Sequence, residues 1–400
     1  MVGLGAFAAV AAAVCASQFS SSKGGNNNNN ERSKMVDTNE EAFKNIKDLD
    51  LPVIDMEKFF NKEQDVATYN AECKKLAECL HLYGAAVVKD PRFRQEENAA
   101  FLDQMEQYYA ISDGKRDARP DIGYQVGVTP EHVEKARNHA DIMAGYSANN
   151  TPVSPLEPQP DNKWRYFWRM NKTPEHTKYP GLNLENIVPP EFPEWSATMN
   201  SWGHRLLDAQ YAVAEMLAIG FGFPADTITQ LMKDGPHLLA PTGSNLGKYD
   251  QLDSILAGFH SDLNYITIHG KSRFPGLSVW TRAGDKKTVK VPDGCFLIQA
   301  GKQLEYLTAG YVLAGYHEVT VTEATLAAVE KRRKEGKSLW RVSSTLFAHL
   351  SSDEILQPLY HFKTPEAEAK FPPVEAGAQV QRELELIKLK AHESSWDERK

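Results

Sequence analysis

Apolar residues recur along this chain with two different periods, and the change between them divides it. Residues 50–55, Asp-Leu-Pro-Val-Ile-Asp, predict a short strand. Over 65–83, Tyr69, Cys73, Leu76, Cys79 and Leu80 fall at helical spacing, and Gly84 is placed to end that helix. Ala-Ala-Val-Val-Lys at 85–89 predicts a second strand, and Phe101, Met105 and Tyr108 mark a second amphipathic helix over 95–109. Residues 146–193 are rich in proline and aromatics, with one predicted strand at 163–169. The longest helical pattern spans 194–220, carried by Met199, Trp202, Leu206, Val213, Met216 and Leu217. From about His237 the period shortens. Runs at 266–268, 277–280, 289–291, 296–298 and 339–347 are separated by Gly, Pro and Asp, the pattern of a sandwich or barrel. A charged helical stretch at 322–337, with Thr322 as its cap, interrupts the strands, and a last amphipathic helix is predicted over 379–390.

The 400 residues suffice for one main domain with a sizeable core. A net charge of −8 gives no electrostatic reason to expect nucleic acid or an anionic membrane as a partner. The four cysteines, Cys15, Cys73, Cys79 and Cys295, have neither zinc-site spacing nor the look of a disulfide framework, which suits a reducing compartment. Residues 1–19 carry no charge and are rich in alanine and valine. They read equally as a targeting leader, with Val14-Cys15-Ala16 as a cleavage site, or as the start of a disordered extension. Residues 20–34 are Ser-, Gly- and Asn-rich and cannot build a core. A start at Met35 would delete the whole segment and leave a cytoplasmic protein.

The chemistry-bearing residues gather in the strand-rich half. Side chains two apart on a strand share a face, so His260 and Asp262 can hold one ion between them. His317, in Gly-Tyr-His-Glu-Val-Thr-Val, occupies a predicted half-buried strand and supplies a third ligand. Two imidazoles and one carboxylate with open positions opposite are the donor set of non-haem Fe(II) oxygenases. A second His-x-Asp, His139 and Asp141, follows Thr129-Pro130-Glu131, which predicts a helix. Residues two apart on a helix point about 200° apart, so that pair is excluded as a metal site. Further on, Arg341, Ser343 and Thr345 share one face of a predicted strand. A guanidinium turned into a barrel needs an anion, and the far end of a dicarboxylate supplies one, bidentate to Arg341 and hydrogen-bonded to Ser343.

The order His260-x-Asp262, then His317, then Arg341-x-Ser343 resembles the Fe(II)- and 2-oxoglutarate-dependent dioxygenases of the isopenicillin N synthase-like branch. The similarity extends to Leu51-Pro52-Val53-Ile54-Asp55 and to the segments at 276–280 and 292–301. It implies a mainly β fold with helical flanks: a double-stranded β-helix, or jelly roll, preceded by an α/β N-terminal region. The implied divisions are a leader or tail at 1–34, an N-terminal region at 50–200, a catalytic core at 201–365 and a C-terminal helix and tail at 366–400. His260, Asp262 and His317 would hold iron. Arg341 and Ser343 would bind 2-oxoglutarate, and Tyr249 falls where the branch has an assisting tyrosine.

The implied reaction hydroxylates, desaturates or cyclises a small organic molecule, releasing succinate and carbon dioxide, with ascorbate as a candidate reductant. Two alternatives stay open: an oxidase that uses the same iron without a co-substrate, and a catalytically silent binding protein. Departures from the branch are Gly247-Lys248-Tyr249 in place of Asn-x-Tyr, Lys302 after Gly301, and Glu318 after His317. The last two are expected to lie directly behind the metal ligands or at the surface. Tyr124, Tyr166, Trp168, Tyr265 and Phe347 are candidate pocket aromatics, and Arg165 and Arg169 candidate partners for a substrate carboxylate. A monomer is expected.

Overall fold

The computed structural model describes residues 51–387, so the leader segment and the extreme C-terminus lie outside the described residues. Strand β1 (Val53–Asp55) pairs in parallel with β2 (Ala85–Lys89), and the helix Val66–Tyr83 makes the crossover between them. Asp65 caps that helix by accepting a hydrogen bond from the Thr68 amide. Gly84 ends it in the left-handed region at φ 62°. A Cβ on Gly84 would lie 2.9 Å from the Gly315 Cα, so this glycine also permits the close approach of the chain leading into a site strand described below. The helix Gln95–Ile111 follows as expected from its apolar spacing.

Strands β3 (Gly127–Thr129) and β4 (Trp164–Arg169) form an antiparallel pair. The helix expected after Thr129 is therefore absent. Thr129 lies opposite Arg165 in the ladder, and His132 and Glu134 exchange backbone hydrogen bonds with Asp161. These pairings hold the segment extended, leaving only a short helix at Ala140–Met143 with His139 as its N-cap. The helix Trp195–Gly220 carries the largest buried face, including Trp195, Trp202, Leu206 and Val213. It locks onto the sheet through Gln210, whose amide donates to the carbonyls of Ile266 and Leu346 at 2.8 and 3.2 Å.

The remaining strands are β5 (Leu238–Leu239), β6 (Thr242–Asn245), β7 (Ile255–Ser261), β8 (Ile266–His269), β9 (Leu277–Trp280), β10 (Lys286–Thr288), β11 (Cys295–Ala300), β12 (Tyr316–Thr320), β13 (Trp340–Ser343), β14 (Thr345–Ala348) and a separate two-stranded pair, β15 (Ile355–Leu356) with β16 (Val374–Glu375). A ten-stranded sheet runs β1-β2-β11-β8-β14-β5-β4-β6-β13, with β3 added to β4, and a four-stranded sheet runs β10-β9-β12-β7. The molecule is thus mainly sheet with helices, and the large sheet draws strands from both the 50–200 and 201–365 regions.

Two strand expectations are corrected. The segment 339–347 is two strands broken at Ser344, because its antiparallel partner is broken at Pro241, which has no amide to give to a ladder. Freed there, the Ser344 carbonyl accepts from Gly270 at 3.0 Å. The strand expected at 289–291 lies instead at Lys286–Thr288, because the turn through Gly284, at φ 84°, sets the register Lys286 opposite Trp280. The charged stretch forms the helix Glu323–Lys334, with Thr322 and Thr325 in a reciprocal capping box, and Val329 packs under it against Leu246, Leu256 and Phe274. The C-terminal helix is Ala376–Leu386, three residues earlier at its start than expected. Among the described residues no helix is long and apolar enough to cross a membrane.

Candidate metal centre

His260 and His317 lie directly opposite each other on β7 and β12, with ring centroids 4.2 Å apart. Asp262 follows the end of β7, its Oδ1 3.7 Å from His260 Nε2. One ligand atom from each of the three residues falls within 4.8 Å of the others, so all three can reach one ion. Both rings are oriented by the backbone. His260 Nδ1 lies 2.6 Å from the Gly258 carbonyl and His317 Nδ1 3.2 Å from the Gly315 carbonyl. A carbonyl can only accept, so each Nδ1 carries the proton and each Nε2 presents a lone pair to an ion. Thr267 donates to Asp262 Oδ2 at 2.5 Å, which leaves Oδ1 for the metal.

Charge is arranged to match. Burial and the neighbouring His317 push the His260 pKa well below the usual imidazole value. Burial alone would raise the Asp262 pKa, but His317, His260 and the Thr267 hydrogen bond together lower it. Neutral imidazole and ionised carboxylate are the forms that bind a divalent transition metal.

The register of β7 against β12 slips between His260 and Ala257, a bulge that puts an extra residue on β7. The consecutive amides of Gly258 and Phe259 turn outward from the ladder. Asp161 Oδ1 accepts from the first and Ser154 Oγ from the second, both at 2.8 Å. Ser154 in turn is held by Glu318, which also accepts from the amides of Val153 and Ser154 at 3.0 and 3.1 Å and pairs with Lys286 at 2.8 Å. Glu318 is 0% exposed, so of its two expected placements it takes the one behind the metal ligands and not the one at the surface. Its spacing, one residue after a ligand on a strand, put it on the opposite face but gave no sign that the 153–154 loop would bury it there. Lys302 conforms better: its ammonium pairs with Glu305 at 3.0 Å, and its backbone amide donates to the Asp262 carbonyl.

Arg341 is 7% exposed, and among the described residues no carboxylate forms an ion pair with it. Its Nε donates to the Pro275 carbonyl at 3.2 Å, and burial lowers its pKa to about 10. Ser343 and Thr345 lie across the Ser344 break with their hydroxyl oxygens 2.9 Å apart, so the shared face survives the break. Tyr249, the third member of the expected set, has its hydroxyl engaged elsewhere. Its hydroxyl donates to Glu131 at 2.7 Å and lies 3.2 Å from His132 Nε2.

No protein-family model and no curated protein matches this sequence. Solved structures do match. A protein of Caulobacter crescentus assigned to the 2OG-Fe(II) oxygenase family superposes with a TM-score of 0.65 at 22% identity, over 84% of this chain and 99% of its own. A full-length Neurospora crassa protein, solved in complex with α-KG, gives 0.65 at 15% identity over 85% and 98%. JOX2, solved with 2OG, Fe and JA, gives 0.61 at 16% over 88% and 93%. The chain has the fold of the 2OG-Fe(II) oxygenases.

Within that fold the other sequence candidates separate. Tyr166 and Trp168 are core residues, their polar atoms donating to the Ile187 carbonyl and Asn200. Arg169 is structural: its guanidinium is occupied by the carbonyls of Asn171 and Leu182 and by Asn183. Arg165 pairs with Glu134 at 3.1 Å and lies over the rings of Phe167 and Phe347. Lys163 and Asp161 complete this buried charge cluster, and of its members only Arg165 was singled out in the sequence. Tyr265 is 0% exposed and Tyr124 is half-buried at φ 56°. Of the excluded pair, Asp141 is an exposed residue of the short helix Ala140–Met143, as expected, whereas His139 is half-buried at its N-cap. His139 packs edge-on against Phe259 and Tyr316, and burial lowers its pKa to about 4.

Proposed function

We propose that this chain is an iron(II)- and 2-oxoglutarate-dependent oxygenase acting on a small organic molecule, built on a double-stranded β-helix. The observation that carries the reading is the pairing of two features: a His-Asp-His donor set with both Nε2 atoms free, and a buried arginine without a carboxylate partner beside two hydroxyls. The donor set fits a divalent transition metal, and the arginine fits the far carboxylate of a dicarboxylic acid. Iron(II) held there would activate dioxygen, the oxidant, with two electrons drawn from 2-oxoglutarate and two from the unactivated carbon of the substrate. The residues of this chain supply the rest. His260, Asp262 and His317 fix three positions on one side of the ion and leave the others open. Arg341 and Ser343 hold the co-substrate by its remote end, which sets the direction from which its other end meets the metal. Ligands such as thymine in the Neurospora crassa protein and JA in JOX2 support a small organic substrate, and the buried Arg165–Glu134 cluster beside Phe347 offers such a molecule polar and aromatic surface.

Anaerobic titration of the purified chain with Fe(II) and then 2-oxoglutarate tests the reading, followed by substrate screening for succinate release with ascorbate present. The expected result is a visible charge-transfer absorption that needs both additions and is lost in His260→Ala. Iron binding without any response to 2-oxoglutarate would favour an oxidase without a co-substrate.

A further inference from the structure

Inside the larger sheet runs a set of hydrogen bonds that neither the metal ligands nor Arg341 explains. His269 on β8 lies directly opposite Thr345 on β14, and Gln299 belongs to β11 on the other side of β8. His269 Nε2 is 2.9 Å from the side-chain amide of Gln299, His269 Nδ1 is 3.0 Å from Thr345 Oγ1, and Thr345 Oγ1 is 2.9 Å from Ser343 Oγ. The four side chains therefore form one continuous path that ends at the residue expected to touch the co-substrate.

Each link in such a path fixes the direction of the next. A neutral imidazole has one donor and one acceptor, and a hydroxyl has one proton to give. Burial keeps His269 neutral, its pKa lowered to about 4. If Gln299 turns its oxygen to His269, the ring donates from Nε2 and accepts at Nδ1 from Thr345. Thr345, its proton committed, must then accept from Ser343, and Ser343 has no proton left for an anion. If Gln299 turns its NH2 group to His269, every link reverses. His269 donates from Nδ1 to Thr345, Thr345 donates to Ser343, and the Ser343 hydroxyl is free to donate outward. Amide oxygen and nitrogen occupy interchangeable positions. The orientation with oxygen inward leaves Gln299 Nε2 as a buried donor without a partner, whereas the reverse leaves a carbonyl oxygen, the better tolerated orphan.

We propose that Gln299, His269 and Thr345 are positioning residues that aim the Ser343 hydroxyl at the distal carboxylate of a dicarboxylate co-substrate. The inference rests on the function proposed above and adds to it a directional support for the anion site. The carboxylate, which can only accept, selects the polarity in which all four residues donate towards it.

The test uses the full chain loaded with Fe(II) under anaerobic conditions and two ligands, 2-oxoglutarate and 2-oxobutanoate, which share the chelating end but differ in the distal carboxylate. Thr345→Val breaks the path with little change in shape and is expected to weaken 2-oxoglutarate about tenfold, the scale of one hydrogen bond to a charged group. Binding of 2-oxobutanoate should be unchanged, and Thr345→Ser should restore 2-oxoglutarate affinity. His269→Leu breaks the same path one link earlier and should give the same selective loss, which keeps the test open if the valine variant fails to fold. The double variant Ser343→Ala/Thr345→Val should bind no more weakly than Ser343→Ala alone. Equal weakening of both acids, or wild-type affinity for 2-oxoglutarate in Thr345→Val, overturns the relay. Arg341→Gln separates the two proposals. If it selectively loses 2-oxoglutarate while Thr345→Val does not, the relay alone fails; if it too leaves 2-oxoglutarate binding intact, the dicarboxylate site fails with it.

Discussion

Glu318 offers the sharpest perturbation, because a single side chain ties the loop at 153–154 to both histidine-bearing strands. Glu318→Ala removes the acceptor for two backbone amides and one hydroxyl and the counter-ion of Lys286. The stranded amides are the main cost. A buried donor left without a partner costs about 1–3 kcal/mol, so the two amides and the Ser154 hydroxyl together come to about 3–9 kcal/mol. Lys286 adds little, since its side chain is 23% exposed and can recover water. With an unfolding entropy of about 2.1 cal/mol/K per residue over about 340 folded residues, that loss lowers the Tm by about 4–13 °C. The same change frees Ser154 from its orientation, so the Phe259 amide next to His260 loses its acceptor and the bulge that turns His260 loosens. Fe(II) affinity should fall by about tenfold, the lower end of what loss of an outer hydrogen-bond partner costs a metal site. Differential scanning calorimetry and anaerobic Fe(II) titration read the two effects, and Ser154→Ala should reproduce most of the second with less of the first. A Tm within about 1 °C of wild type and an unaltered Fe(II) affinity would refute the argument.

Three further outcomes follow from the same contacts. Tyr249→Phe is expected to leave 2-oxoglutarate affinity unchanged, because the hydroxyl is engaged by Glu131 and His132; a drop of tenfold or more in a ligand titration would return Tyr249 to the anion site. Acid should destabilise the protein through His237, whose Nδ1 accepts from the His349 amide at 3.0 Å and whose pKa burial lowers to about 3. The unfolded chain binds that proton near pH 6.5 and the folded chain only near 3, so this contribution is complete above about pH 6.5 and is lost as pH falls towards 3. Urea midpoints measured across this range should fall less steeply in His237→Gln than in wild type, and parallel curves would contradict the assignment. If Asp262 is the proposed ligand, replacing it by Ala should abolish Fe(II) binding while preserving the circular dichroism spectrum; retained binding would remove it from the donor set.

Which parts of this molecule were legible in the sequence depended on whether the deciding interaction was local. Helix Val66–Tyr83 is written in its own residues: the Asp65 cap, the apolar spacing and Gly84 all lie within it or beside it. The candidate metal group could be picked out because strand alternation is local, and an antiparallel ladder places His260 opposite His317. The failures share the opposite property. Thr129 and Pro130 look like a helix start, yet the ladder to β4, about 35 residues away, captures Thr129 first. Residues 339–347 read as one strand because nothing within them breaks it; the break is imposed by Pro241, almost a hundred residues earlier.

Glu318 extends the argument to the site. Alternation placed it opposite the metal, and on an open sheet that face would be wet, but the 151–155 segment covers it and turns a surface charge into an anchor. The same distinction separates the two halves of the anion site. Arg341 and Ser343, the proposed partners of the co-substrate, could be picked out by parity, whereas the residues proposed to orient Ser343 come from β8, β11 and β14 and have no common signature in the chain. What touches a ligand is set by periodicity within a strand, and what aims it is set by neighbours across the sheet. Variants designed from sequence pattern alone will therefore find the ligands of this site and overlook the residues that determine how well those ligands work.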